Sequence, residues 1–132
     1  MKSSGCTILG CGTDIVEISR LRQAVKRWQK GFLERVFTPR EIKYAMRRRF
    51  YLQHLAGRFA AKEAILKALG DGFSIVHLKH IEIINNKHGQ PEAALSGPLQ
   101  KLRARKQVQS IMISISHSHE YATAMAILTK TA

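Results

Sequence analysis

Two carboxylates in this 132-residue sequence stand where charge is costly. Asp14 closes the apolar run Ile8-Leu9-Gly10-Cys11-Gly12-Thr13, and charged residues are depleted inside strands. A strand end with its carboxylate in solvent, or an N-cap for the following helix, would also account for it. Glu63 belongs to an alanine-rich segment from about Tyr51 to Leu69 that Gly70 stops. At about 100° per residue, Leu52, Leu55, Phe59 and Leu66 share an arc of roughly 60° of that helix, with Glu63 about 20° outside it and Lys67 about 40° further round. A carboxylate beside an apolar stripe loses water and needs a cation or hydrogen-bond donors. A Glu63–Lys67 pair at i,i+4, or plain exposure at the stripe's edge, would also serve. Taken together, Asp14 and Glu63 suggest a magnesium site, because Mg²⁺ takes hard oxygen ligands and is often held by one or two carboxylates plus substrate phosphates.

Other chemistries find less support. Gly10-Cys11-Gly12 lacks the third glycine of a dinucleotide fingerprint and the Lys-Ser/Thr of a P-loop. Six histidines are present, but His77 and His80 at i,i+3 entering a strand do not converge, and no third ligand follows. His117 ends a strand at a turn, where functional side chains gather; taken alone it reads as an ordinary turn histidine. Cys6 and Cys11 are four residues apart within one strand-like segment. A disulfide there would require the chain to fold back, and two thiols cannot fill a zinc site, so both read as free thiols.

The elements that must position these residues follow from the pattern. Ile8–Val16 reads as an opening strand whose glycines let another backbone come close. Ile18, Leu21, Ala24, Val25 and Trp28 give an amphipathic helix, and Phe32–Val36 a short one. Thr38-Pro39-Arg40-Glu41 is a capping-box start for a helix over about Pro39–Arg48. After the long helix, Gly70-Asp71-Gly72 is a loop, Leu78–Asn85 a strand, Asn86–Gly89 a turn and Pro91–Leu95 a returning strand. Leu99–Lys106 makes a short basic helix, and Ile111–Ser116 and Tyr121–Leu128 two last strands about the turn Ser118-His119-Glu120. The sum is an α+β class: an antiparallel sheet packed with helices, one of them long and central, in a single domain over 1–132.

Composition bounds the partners. Hydrophobic residues make up 45% and charged residues 23%, the balance of a globular protein. No apolar run approaches the roughly 20 residues of a membrane helix, and Met1–Gly5 does not read as a signal peptide, so the expected location is cytoplasmic. The formal net charge of +13 should attract something polyanionic. A small nucleic-acid-binding module is the rival that Arg47-Arg48-Arg49 raises. Such modules place aromatics beside their basic residues, whereas aromatics are only 7% here and Phe37, Phe50 and Tyr51 form no stacking platform.

Three motifs then carry a resemblance. Gly12-Thr13-Asp14-Ile15-Val16-Glu17, then Gly57-Arg58-Phe59-Ala60-Ala61-Lys62-Glu63-Ala64 with Lys67-Ala68, then Ser114-Ile115-Ser116-His117 with Glu120-Tyr121-Ala122 resemble the motifs of bacterial holo-acyl-carrier-protein synthases in order and spacing. The likeness runs from about Ile8 to Leu128. It implies the 4'-phosphopantetheinyl transferase fold and transfer of phosphopantetheine from coenzyme A to a serine of acyl carrier protein, for fatty acid biosynthesis. Asp14 and Glu63 would be the magnesium ligands, and Lys67 would lie near the pyrophosphate. Arg58, Lys62, Gly70 and His117 would fall in the coenzyme A site. The family's homotrimers, with sites between subunits, and the docking of acidic acyl carrier protein on the basic first helix, at Arg20 and Arg27, are implied in the same way. No nucleic acid and no membrane enter this picture, and a non-catalytic coenzyme A binder would leave the two carboxylates without a role. The sequence departs from the family at Asp71, within Gly70-Asp71-Gly72 where Gly-Thr-Gly is common, and at Gln90, where a lysine often precedes the proline.

Overall fold

A computed structural model describes residues 5–28, 30–70 and 75–131. Strand β1 (Cys6–Glu17) leads into helices α1 (Ile18–Trp28), α2 (Lys30–Val36), α3 (Pro39–Met46) and the long α4 (Tyr51–Leu69). A 3₁₀ segment (Ile75–His80), the hairpin β2 (Ile81–Asn85) and β3 (Pro91–Leu95), helix α5 (Gly97–Arg105) and strands β4 (Ser110–His117) and β5 (Tyr121–Thr131) complete the chain.

The expected local signals act where the sequence puts them. Thr38 Oγ1 accepts the Glu41 N–H while the Thr38 N–H donates to Glu41 Oε1, a reciprocal capping box at the start of α3. Gly70 ends α4 at φ +79°, with its N–H donated to the Leu66 carbonyl. Asn86 holds the hairpin turn by accepting from the His88 and Gln90 N–H groups.

The strands form two antiparallel sheets rather than one. Strands β1-β5-β4 make a three-stranded sheet, and β2-β3 stand apart as a two-stranded one. The strand expected from Leu78 begins only at Ile81, because its partner ends opposite it at Leu95. Beyond that point Ser96 donates one bond to the His80 carbonyl and the chain turns into α5. Residues 78–80 therefore have no ladder to join, and they wind as 3₁₀ while Leu78 still packs in the core.

Helix α4 lies in the middle. It is buried almost all round, including Leu55, Ala56, Ala60, Ala61, Ala64, Ile65 and Leu69, so the one-sided stripe read from the sequence is only part of its buried surface. Strand β5 turns Ala122, Ala124, Ala126 and Leu128 towards it. Small residues on both partners let backbones approach. A Cβ at Gly10 would collide with the Ala68 carbonyl oxygen, and one at Gly12 with that of Ala64.

Candidate active site

That close approach sets the position of Asp14. Gly10 rests on Ala68 and Gly12 on Ala64, so strand and helix run in opposite directions, two strand residues to four helix residues. The match is physical: two strand residues span about 6.7 Å and four helical residues about 6 Å. Asp14 lies on the same inward face, two residues beyond Gly12, and there it meets Glu63 and Lys67. Lys67 Nζ lies 3.0 Å from Asp14 Oδ1 and also donates to the Thr13 carbonyl at 2.9 Å. Among the described residues it is Asp14, not Glu63, that takes the Lys67 ion pair. Thr123 on β5 fixes the strand beneath by donating to the Asp14 carbonyl at 3.0 Å.

Glu63 is half-buried. Burial raises its carboxyl above the ordinary value, the Asp14 charge raises it further, and Lys67 opposes both. The carboxylates border an open cavity of about 460 Å³ that Arg20, Leu21, Phe59 and Tyr121 help to line. Two repelling carboxylates on a solvent-open cavity are a donor set that a hard divalent cation satisfies. No third His, Cys, Asp or Glu joins them among the described residues, so water and phosphate oxygens would complete the shell of a Mg²⁺ ion, the pattern usual for that ion.

A second cluster gathers round Arg58. Its guanidinium carbon stands 4.2 Å from the centroid of the Tyr44 ring, and Nη2 reaches Asn85 Oδ1 at 3.4 Å. Asn85 donates to the Tyr44 hydroxyl at 2.9 Å, and Arg48 stacks on the same ring at 3.5 Å. The His54 ring meets both Tyr44 and His117 edge-on at 5.9 Å. His54 is held below its ordinary value, first by burial and then by Arg58, Arg48 and His117. Arg58 is itself buried and its Nε has no hydrogen-bond partner among the described residues, so Arg48 and His117 are the exposed polar groups of the cluster. This cluster suits an anion such as a phosphate.

The site residues read from the sequence thus separate into two groups. Asp14, Glu63 and Lys67 converge, as do Arg58 and His117, but Arg58 and Glu63 lie about 140° apart round α4. Gly70 is the left-handed end of α4, and Asp71 lies outside the described residues. Arg20 is exposed at the cavity edge beside Glu17, and Arg27 lies over the Trp28 ring. The expectation for Lys62 is corrected. Its side chain is fully buried, bonded at 2.5 Å to Glu41 Oε1 and 2.7 Å to the Val36 carbonyl, and offers nothing to a ligand. Tyr44, Arg48, His54 and Asn85 were missed by sequence reasoning. A signal existed in part, since His54/Arg58 are an i,i+4 pair on one face of α4 and Tyr44/Arg48 have the same spacing, although Arg48 lies past the end of α3.

This fold and its motifs are those of a known class: residues 10–126 match the model of the 4'-phosphopantetheinyl transferase superfamily, to which the chain belongs. Within that class, a holo-[acyl-carrier-protein] synthase of Geotalea daltonii is 46% identical over 93% of this chain and 99% of its own length. One from Clostridium tetani is 48% identical over 92% and 95%. The crystal structure of the synthase from Neisseria meningitidis superposes with a TM-score of 0.86 at 31% identity, covering 94% of this chain and all of that one. That of the Helicobacter pylori synthase in complex with coenzyme A gives 0.77 at 34% identity, covering 89% and 98%.

Proposed function

We infer that this chain is a holo-acyl-carrier-protein synthase, transferring 4'-phosphopantetheine from coenzyme A to a serine of apo-acyl carrier protein and releasing 3',5'-ADP. The observation that carries the mechanism is the Asp14–Glu63 pair, with Lys67 beside it, on an open cavity at the strand–helix contact. Asp14 and Glu63 would hold Mg²⁺ in the transferase domain that spans 1–132. When bound, the ion neutralises charge that builds on the transferring phosphoryl group. Lys67 sits one helical turn from Glu63 and is half exposed, so its ammonium reaches phosphate oxygens and stabilises the leaving phosphate. Arg58 and His117, with Tyr44, Arg48 and His54, supply an anion-binding surface for the phosphates of coenzyme A.

A homotrimer with sites shared between subunits is supported by two features. The carboxylate cluster and the anion cluster face different sides of α4, so two copies side by side would complete a site that one copy divides. The outer face of the β1-β5-β4 sheet is also uncovered, and among its hydroxyl side chains it exposes Ile15, Met112, Met125 and Tyr121. Acidic acyl carrier protein would dock on α1 through Arg20, which lines the cavity, and Arg27, about two turns further along the helix. Cys6 and Cys11 are both free and exposed, as suits a reducing cytoplasm, and among the described residues no helix is long and apolar enough to cross a membrane. The test is mass spectrometry of apo-acyl carrier protein incubated with coenzyme A, with and without Mg²⁺. A gain of one phosphopantetheine that needs the ion is expected; a nucleic-acid module would produce none.

A further inference from the structure

We propose that Lys67 is a stand-in cation at Asp14, and that divalent-ion binding is thereby made to depend on a phosphate ligand that draws the ammonium away. The inference rests on the reading of Asp14 and Glu63 as a metal site, and adds to it a coupling between ion and substrate. Lys67 Nζ donates to Asp14 Oδ1 and to the Thr13 carbonyl, both on β1. The carboxylate is the fixed partner of this pair and the ammonium the movable one. The Asp14 side chain is 18% exposed and its strand is tied to β5, whereas the Lys67 side chain is 54% exposed on a flexible stem.

Charge sets the direction of the coupling. Two carboxylates and one ammonium leave a single net negative charge at the site. A divalent ion entering alone must compete with Lys67 for Asp14 and then endure its repulsion at close range. A pyrophosphate arriving with the ion offers the ammonium a better partner and frees Asp14 for the metal. Ion and coenzyme A therefore tighten each other, and by linkage each does so by the same factor. Exposure of the Lys67 ammonium means that water can replace Asp14 at little cost, so the device acts as a bias and not as a lock.

The experiment titrates Mn²⁺, read by the loss of its free-ion electron paramagnetic resonance signal, into the full chain with and without coenzyme A, whose own affinity for the ion is measured without protein. Wild type should bind Mn²⁺ weakly alone, and about tenfold or more tightly with coenzyme A. Lys67→Met, which keeps the stem and removes the charge, should bind Mn²⁺ alone roughly three- to tenfold more tightly than wild type, and its coupling should fall by at least that factor, leaving the part that phosphate oxygens on the ion supply. Lys67→Arg should restore the coupling. If Lys67→Met binds Mn²⁺ alone as wild type does, or more weakly, the ammonium serves to hold Asp14 for the ion and the proposal is overturned, while the metal site stands. Asp14→Asn separates the two failures: unchanged Mn²⁺ binding in that variant would overturn the metal site itself, and the coupling with it.

Discussion

The Asp14 charge raises the half-buried Glu63 carboxyl, a cost to stability that the proposed divalent-ion site would explain. Asp14→Asn and Glu63→Gln should each abolish phosphopantetheine transfer while the thermal midpoint moves by only a few degrees. For Glu63→Gln the sign is set by the raised carboxyl. Between its unfolded value near 4.5 and its higher folded value the native state binds the extra proton, so the wild-type contribution to stability is present at low pH and lost as pH rises through that window. The glutamine variant should therefore melt no lower than wild type at pH 7. His54 carries the opposite sign, being lowered by burial and its cationic neighbours. Its neutral form suits the fold, so stability is held above about 6.5 and declines as pH falls through the folded value. Thermal scans from pH 7.5 to 5 should show this decline in wild type and a shallower one in His54→Gln.

The three elements α3, β2 and α4 meet at one buried ion pair. Lys62 reaches from α4 to Glu41 on α3, and the other Glu41 oxygen accepts the Ile83 N–H of β2 at 2.8 Å. Burial pulls the Lys62 ammonium below its ordinary value and the Glu41 charge opposes that. Removing one partner strands a buried charge, so Lys62→Met should cost about 3–5 kcal/mol, whereas Lys62→Met with Glu41→Leu should recover much of the loss. Because α3 carries Tyr44 and β2 carries Asn85, the single variant should also loosen the Arg58 cluster. Chemical denaturation of both variants, read against coenzyme A binding, checks the two claims together. The contact of β1 with α4 is tighter still. Gly12→Ala places a methyl group on the Ala64 carbonyl, and the strand must move off the helix at a cost of roughly 1–3 kcal/mol. Asp14 would move with it, so transfer activity should fall further than stability alone explains.

At the scale of the whole molecule, the outer sheet face is the feature one copy does not satisfy. Its rows run Cys11-Ile127-Met112, Thr13-Met125-Ser114 and Ile15-Thr123-Ser116 across the three strands. Sedimentation equilibrium at micromolar concentration should give three chain masses. Ile15→Lys, with a charge at the most exposed apolar position of β1, should yield a folded monomer without activity; a monomer that retained activity would remove both the trimer and the shared site. The +13 charge belongs to this scale as well. Reversing Arg20 to Glu should raise the KM for acyl carrier protein well above any change in the KM for coenzyme A. Added salt should then weaken wild type more than the variant, since such steering is screened beyond about 8–10 Å.

Local chemistry made much of this molecule legible in one dimension. Thr38-Pro39-Arg40-Glu41 specifies a helix start whatever surrounds it, Gly70 a left-handed stop, and the alternation in Ile111–Ser116 a half-buried strand. Asp14 and Glu63 stand out because their positions strain those local rules, whereas Lys67 is singled out by its spacing from Glu63 and by the motif resemblance. Packing decided what no local rule contains. Lys62 follows Arg58 by one helical turn and shares its motif, so the sequence cannot separate these two, while Glu63 directly after them is marked by its place at the edge of the apolar stripe. Only the arrangement of α3 and β2 against α4 encloses Lys62, and only β1 brings Asp14 to the half-buried Glu63. Leu78–His80 have the composition of a strand but no partner left to pair with. Tyr44, His54, Asn85 and His117 come together from four elements, and Lys67 chooses Asp14, 53 residues away, over the Glu63 one turn behind it. Spacing along a helix fixes which side chains share a face; what that face meets is fixed by the tertiary fold, because burial and the partners of a charge are properties of the surroundings.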